Sequence, residues 1–455
     1  MAGEVLAQGS ATTLAAPRNE AAFARRAVAA ATIGNALEFY DFVTYSFFAI
    51  QIGHAFFPSH SSYASLMLSL ATFGAGFVTR PIGGVIIGAY ADRVGRRPAM
   101  MLSFTMMGVA IIGLALIPTY AQIGLAAPIL AVTARLVQGF SLGGEVGPTT
   151  AYLMEAAPAH RRGFAVSWQG ASQGLSAAVG GLVGFGLSAL MAPAALDAYG
   201  WRIAFLLGAV TLPFGLLLRR TLPETLHHPE PAPTPAAPTA AAIAPQDAQP
   251  APTRVALVRS STRILLLAVV VLASGTIATY VFNYMTTFAQ HTLHMQPGPA
   301  FAAGALGNLM GVAGGLFGGW LSDKIGRRPV MIWPALANLV LLIPLFAWIT
   351  GSRTVLALTV GTAVIALVGA IGAGAFYPAL AESLPKRIRG SAFATVYAVA
   401  IATFGGTTQL VITWLIHVTG SNMAPAWYLF GASVLGLIAR WLIVESAPAK
   451  TGATA

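Results

Sequence analysis

A charged loop occurs twice in this chain, wedged both times between long apolar stretches. Gly88-Ala-Tyr-Ala-Asp92-Arg93-Val-Gly95-Arg96-Arg97-Pro98 returns 231 residues later as Gly319-Trp-Leu-Ser-Asp323-Lys324-Ile-Gly326-Arg327-Arg328-Pro329. A second pair repeats 227 residues apart, Glu155…Pro158…Arg162-Gly163 and Glu382…Pro385…Arg389-Gly390. Such duplication means two halves built alike. In so apolar a chain that is the plan of a secondary transporter.

The chain is 56% hydrophobic and only 9% charged, with a mean hydropathy of +0.73. Soluble domains carry about a quarter charged residues, so a soluble enzyme is excluded. A bilayer-spanning helix needs about 20 mostly apolar residues. That criterion predicts twelve spans, over 28–56, 63–90, 98–118, 124–154, 164–191, 202–219, 262–289, 300–322, 329–349, 354–382, 391–417 and 425–444. The alternating ten-residue pieces of a membrane barrel do not occur. The expected fold is therefore an all-α membrane protein, twelve transmembrane helices in two six-helix repeats.

The one long polar interruption, Leu222 to Arg259, holds nine prolines among Ala and Thr and cannot bury enough apolar area to order itself. It divides the chain into a tail (1–27), a first bundle (28–221), a linker (222–260), a second bundle (261–445) and a closing tail (446–455). His227 and His228 in the linker have no further ligand nearby, so no metal site is expected. Glycine pairs within the spans lack the strand and the Lys-Ser/Thr of a phosphate loop, and no cofactor is expected.

The net charge of +11 invites a nucleic-acid reading, which the placement of the cations removes. With the spans threaded alternately, 21 of the 25 Lys and Arg residues fall on one side, Arg440 and Lys450 among them. Such asymmetry assigns that side to the cytoplasm and puts both termini there. The expected location is the inner, or plasma, membrane, with lipid as the surrounding partner. With no cysteine, disulfides and thiolate metal sites are excluded. The first 20 residues lack an apolar core and read as a tail rather than a signal peptide.

The doubled loop resembles the signature of the major facilitator superfamily, Gly-x-x-x-Asp-Arg/Lys-x-Gly-Arg-Arg/Lys. Arg135, Gly139, Gly143 and Gly147 match its fourth-span pattern. Gly34-Asn35-Ala-Leu-Glu38-Phe-Tyr40-Asp41-Phe42, Arg80-Pro81-Ile-Gly83-Gly84 and Arg135-Leu-Val-Gln138-Gly139 resemble the metabolite:proton symporter family. Members of that family import organic acids, shikimate-like acids or compatible solutes together with protons. Ser167-Trp168-Gln169-Gly-Ala-Ser172-Gln173 and Pro425-Ala-Trp427-Tyr428 look most like its citrate and tricarboxylate members. The resemblance implies a symporter importing citrate or a related acid, working as a monomer. Shikimate-type acid, oxoglutarate or a zwitterionic solute is the alternative cargo. The osmosensing members carry a long coiled-coil tail, whereas this sequence stops soon after Glu445. An export role fits less well, because Gly170 to Gly186 lacks the Gly-Pro pair of drug exporters, and a transporter-like sensor would need a signalling domain.

Five ionisable residues fall inside spans: Glu38, Asp41, Arg80, Arg135 and Glu145. Each charge costs at least ~2.5–3.5 kcal/mol at bilayer depth, so each should face the bundle interior with a partner or water. All five are in the first half; the repeat puts Thr362, Gly372 and Gly311 where Arg135, Glu145 and Arg80 would recur. Arg80 stands twelve residues before Asp92, about 18 Å in at ~1.5 Å per residue. Glu38 and Asp41 share a helix face with Asn35 and Tyr45, and two carboxylates so close cannot both stay ionised cheaply. Glu38, Asp41 and Glu145 are therefore the proton-coupling candidates. Arg80 is a candidate for a substrate carboxylate; Arg135 either shares that role or pairs with an acid to hold helices together.

Asn35, Tyr45, Tyr152, Gln169, Gln173, Asn308 and Tyr377 are candidates to complete the cavity, although a polar side chain of this kind is more often an interhelical hydrogen bond than a ligand. By resemblance, the doubled loops latch the cytoplasmic side through Asp92, Arg93, Arg97, Glu155, Arg162, Asp323, Arg327, Arg328, Glu382 and Arg389. Their acids are expected to meet an arginine of the same or a neighbouring loop, such as Arg93, Arg97 or Arg162.

Overall fold

The computed structural model describes residues 32–33, 35–36, 39–143, 153–154, 157–220, 254–383, 389–447 and 450. For 91–92, 96–97, 159, 211–212, 214–220, 254–261 and 389–394 it describes the backbone alone. Glu38, Glu145, Tyr152 and Glu155 lie outside the described residues, as do the side chains of Asp92, Arg97 and Arg389.

Every described element is helical. In the first half, α1 covers 39–47 and resumes as Ala49–Phe56 after a turn at Phe48. Then come α2 (Ser62–Val78), α3 (Arg80–Val94), α4 (Arg96–Leu116), α5 (Ala126–Leu142), α6 (Arg162–Leu190) and α7 (Trp201–Arg220). The second half comprises α8 (Arg254–His291), α9 (Pro297–Ile325), α10 (Arg327–Ser352), α11 (Val355–Ser383), α12 (Arg389–Ala400), α13 (Gly406–Thr419) and α14 (Ala424–Leu442). Among the described residues, eight spans are long and apolar enough to cross a bilayer, α2–α3 and α12–α13 each counting once, and α5 is a shorter apolar helix. With α1, α7 and α14 they make the twelve-helix, two-half architecture.

Local chemistry explains the breaks. Pro81 has no N–H to give the preceding turn, so α2 yields to α3 at Thr79. A π-helical turn, Ile401–Gly405, separates α12 from α13 beside the Gly405-Gly406 pair. Gly95 and Gly326, equivalent in the two loops, have φ of 120° and 107°, where a side chain is disfavoured. They turn α3 into α4 and α9 into α10, one reason the loop recurs with its glycine. One boundary differs from expectation: α8 begins at Arg254, inside the stretch 222–260 read as linker.

Lipid is as apolar as leucine, so helices in a bilayer are held by close packing rather than by expelling water. Between the halves, α6 runs against α9 through small residues, Gly181 facing Ala305 and Gly163 facing Gly319. α2 meets α13 backbone to backbone at Gly74 and Gly406. Inside the first half, α1 and α2 bury Phe42, Phe73 and Phe77, with Phe42 4.9 Å from Phe73 and 4.8 Å from Phe77. Val85, Val109, Trp333 and Trp441 point outward, where acyl chains rather than water must cover them.

The α2–α13 crossing is testable. A methyl group on Gly74 would sit 2.7 Å from the Gly406 carbonyl oxygen, a backbone atom that cannot swing aside. Overpacking of this kind costs about 1–3 kcal/mol. Gly74→Val is expected to lower the apparent melting temperature in detergent, whereas Gly113→Ala, with nothing within 4 Å, leaves it unchanged. Equal melting of G74V and wild type would show that the two halves do not meet there.

Candidate functional site

The first-half charges gather around one ring. The guanidinium carbons of Arg80 and Arg135 both stand 4.4 Å from the centroid of Phe42. Arg80 also lies 4.4 Å from the Phe77 ring, and Arg135 lies 4.5 Å from Tyr45 and 5.3 Å from Phe73. A desolvated cation over a ring gains about 2 kcal/mol, so this aromatic cage offsets part of the burial cost. Arg135 is fully buried and donates to the Gln138 side chain at 2.6 Å. The Nε and Nη2 atoms of both arginines are buried with no hydrogen-bond partner among the described residues.

Asp41, one residue before that ring, is 1% exposed. It interacts electrostatically with Arg135 but is outside ion-pair distance, and neither carboxylate oxygen has a hydrogen-bond partner among the described residues. The structure thus brings Asp41, Arg80 and Arg135 together and leaves their hydrogen-bonding capacity largely unused.

Beside this cluster, between the halves, lies a cavity of about 240 Å³. Gln173, Asn308 and Tyr377 line it; Arg80, Arg135 and Asp41 stand one layer behind. Tyr280 of α8 connects the layers, facing the cavity while its side chain meets Arg80. Tyr397 lines the cavity and also acts on Arg80. Three other sequence candidates are engaged inside the first half. Asn35 donates to Ser172 at 2.6 Å and accepts from Gln169 at 3.2 Å, and Tyr45 donates to the Ser69 carbonyl at 3.3 Å. Tyr280 and Tyr397 were missed by sequence reasoning because two tyrosines among twelve carry no pattern of their own.

Arg440 corrects the sequence reading. It was counted with the cations of one membrane face, yet it lies within α14 and lines the cavity. Its position two residues before the helix end disguised it.

The halves also meet on both sides of the cavity. On the cation-rich face, Asp323 accepts from the backbone N–H groups of Gly163 at 2.8 Å and Phe164 at 2.9 Å, the first turn of α6. A helix N-terminus is a natural anion site, so this acid of one half caps a helix of the other. Arg327, 1% exposed, bonds Asp323 at 2.7 Å and takes Glu382 in a fork of 2.8 and 3.1 Å. Glu445 receives the N–H groups of Arg327 and Arg328 at 2.9 and 3.0 Å. Burial alone would raise the Glu445 carboxyl, but the N–H groups of Ala447, Arg327, Arg328 and Ser446 hold it below the usual range. A depressed acid adds stability that is lost only as pH falls through its lowered value, so this clasp keeps its charge near neutrality. Asp323 thus meets Arg327 of its own loop together with the first turn of α6. Arg93 is exposed, and Arg162 Nε has no partner among the described residues.

On the opposite face, Thr287 donates to the Ser46 carbonyl at 3.2 Å and Phe48 packs 4.9 Å from Phe301. Tyr63 and the exposed His417 stack at 3.9 Å. The cavity thus lies between two sets of contacts that join the halves.

Comparisons with known proteins place this geometry. A citrate-proton symporter of Klebsiella pneumoniae is 35% identical over 91% of this chain and 90% of its own length. The alpha-ketoglutarate permease of Escherichia coli (strain K12) is 33% identical over 90% of this chain and 92% of its own. A proline/betaine transporter of the same strain is 32% identical over 93% and 84%. A partially occluded inward open conformation of the xylose transporter XylE from E. coli superposes with a TM-score of 0.72, covering 95% of this chain and all of that one. At 16% identity that likeness speaks for the fold alone. The named relatives are transporters, and this chain is a multi-pass membrane transporter rather than an enzyme. With two six-helix halves around a central cavity and a family model matching residues 31–399, the chain belongs to the Major Facilitator Superfamily.

Proposed function

We propose that this protein is a proton-coupled symporter that imports citrate or a related tri- or dicarboxylate by alternating access. Asp41 carries the reading: a buried carboxylate beside two arginines, with no described hydrogen-bond donor to hold it as an anion. Burying an ionised carboxylate unpaired is costly, so this group is poised to gain and lose a proton. When it gains one, the charge facing Arg135 vanishes and two guanidinium groups remain, which favours an anion beside them. Arg80 meets the cavity wall through Tyr280, and we assign it a substrate carboxylate, taken by a two-pronged contact once that wall opens in the transport cycle. Glu38 and Glu145 belong to the same charge set by sequence. The cation-rich face is cytoplasmic in this reading, the membrane is the inner one, and one chain suffices because it holds both walls of the cavity.

Relatives named for citrate, for alpha-ketoglutarate and for proline or betaine align over most of the chain, so a dicarboxylate or a zwitterion is the second reading of the cargo. Two buried arginines against one described acid favour an anion.

In proteoliposomes, Asp41→Asn is expected to abolish stimulation of citrate uptake by an inward proton gradient while leaving citrate counterflow. Uptake that stays fully gradient-driven in this variant would refute the role. Arg80→Gln removes a charge-assisted bond of about 1.5–3 kcal/mol, so the Kd for citrate should rise by roughly 10- to 100-fold. An unchanged Kd would remove Arg80 from the substrate site. Asp323→Ala strips the cap from α6 and should shift the protein toward opening on the cation-rich face. The chain has no cysteine, so Leu153→Cys, fully buried here, serves as a single reporter. Its labelling by a polar maleimide is expected to speed up in the Asp323→Ala background; equal rates would deny the latch.

A further inference from the structure

The second half has a half-buried cation of its own, at the cation-rich end of the cavity. Arg440 of α14 has one long hydrogen bond, 3.5 Å from Nη1 to the Met331 carbonyl, and its Nε is buried without a partner among the described residues. No described carboxylate pairs with it, and the nearby acids are occupied. Glu382 holds Arg327 and Ser446, and Glu445 holds four backbone N–H groups. Met331 lies four residues into α10 from Arg327, so the guanidinium sits about 6 Å from the latch along that helix.

The surroundings of Arg440 form a recess. Asn338, two turns further along α10, lines the same cavity and has a buried Oδ1 with no partner among the described residues. Ser433, two turns before Arg440 on α14, adds a hydroxyl to the wall. Opposite, α11 presents glycine: a Cβ on Gly372 would stand 3.6 Å from Arg440 Nη1, and one on Gly369 3.2 Å from Asn338 Nδ2. The absence of side chains at Gly369 and Gly372 leaves the cation and the amide accessible from the cavity.

A guanidinium that faces a cavity without a counter-ion is satisfied by an anion from solution. We propose that Arg440, with Asn338 and Ser433, forms a second carboxylate subsite, on the half of the protein opposite Arg80. It rests on the reading of the cargo as a small organic acid and adds to it. An acid with two or more carboxylates bridges both halves, one carboxylate toward Arg80 through the Tyr280 side and another toward Arg440. A monocarboxylate or a betaine engages one half only. The number of carboxylates is then what this subsite reads.

The test uses full-length protein reconstituted in phosphatidylcholine vesicles, with equilibrium binding of citrate, succinate, acetate and glycine betaine. Arg440→Gln is expected to weaken citrate by about 10-fold or more and succinate similarly, with acetate and betaine shifted by less than about twofold. Arg440→Lys, which keeps the charge but not the fork, should recover part of the loss. Asn338→Leu should weaken citrate alone by a few-fold. Unchanged citrate binding in Arg440→Gln overturns the subsite and leaves the carboxylate reading standing; equal loss for all four ligands makes Arg440 structural and overturns it too. If wild type binds betaine and no carboxylate, the cargo reading fails and the subsite with it. Inorganic phosphate or added phosphatidylglycerol that stabilises wild type more than Arg440→Gln, while citrate does not, would mark a general anion or lipid site instead.

Discussion

Two guanidinium groups buried inside an apolar bundle share one phenylalanine ring, and the design of the first half follows from that. Burial takes Arg80 and Arg135 out of bulk solvent, and the one described acid beside them does not form an ion pair with either. The π faces of Phe42, Phe77, Tyr45 and Phe73 supply part of the missing stabilisation without neutralising the charge. A full ion pair would stabilise more and respond less. An aromatic cage keeps the cations charged and leaves buried donors on both arginines for whatever enters next.

The halves divide the work unequally although their helices repeat. The duplicated loop is kept as scaffold: Gly95 and Gly326 make the same turn, and the second copy ties Asp323 to the start of α6 across the molecule. The buried acid lies in the first half, whereas the second contributes tyrosine, asparagine and a single arginine to the cavity wall. Tyr280 carries the connection, since it belongs to one half and meets Arg80 of the other. Charge state in one half can thereby be felt in the wall supplied by the other. Small residues at α6–α9 and α2–α13 let the two bodies lie close without large side chains to lock them.

Much of the site was legible from position in the chain. An arginine or aspartate in the middle of an apolar run has nowhere inexpensive to go except the protein interior, so Asp41, Arg80 and Arg135 could be named before any contact was known. Polar neutral residues carry no such compulsion. Asn35, Gln169 and Gln173 share a sequence neighbourhood and a chemistry, yet the first two bond each other while the third lines the cavity. Arg440 shows the limit from the other side. Near a helix end a cation can belong to the membrane surface or the interior, and counting residues does not separate the two.

Sequence alone determined that the chain spans a membrane in two like halves and that Asp41, Arg80 and Arg135 go to the interior. These follow from the hydrophobic length of a bilayer and the cost of charge within it, both of which act on the linear chain. Only the tertiary structure decided which charges share a ring and that Asp323, besides pairing with Arg327 of its own loop, caps a helix of the other half. It alone decided, too, that Arg440 turns into the cavity. Those outcomes depend on how helices far apart in the chain approach within a few ångströms, and the pattern of a single helix does not encode its neighbour's distance.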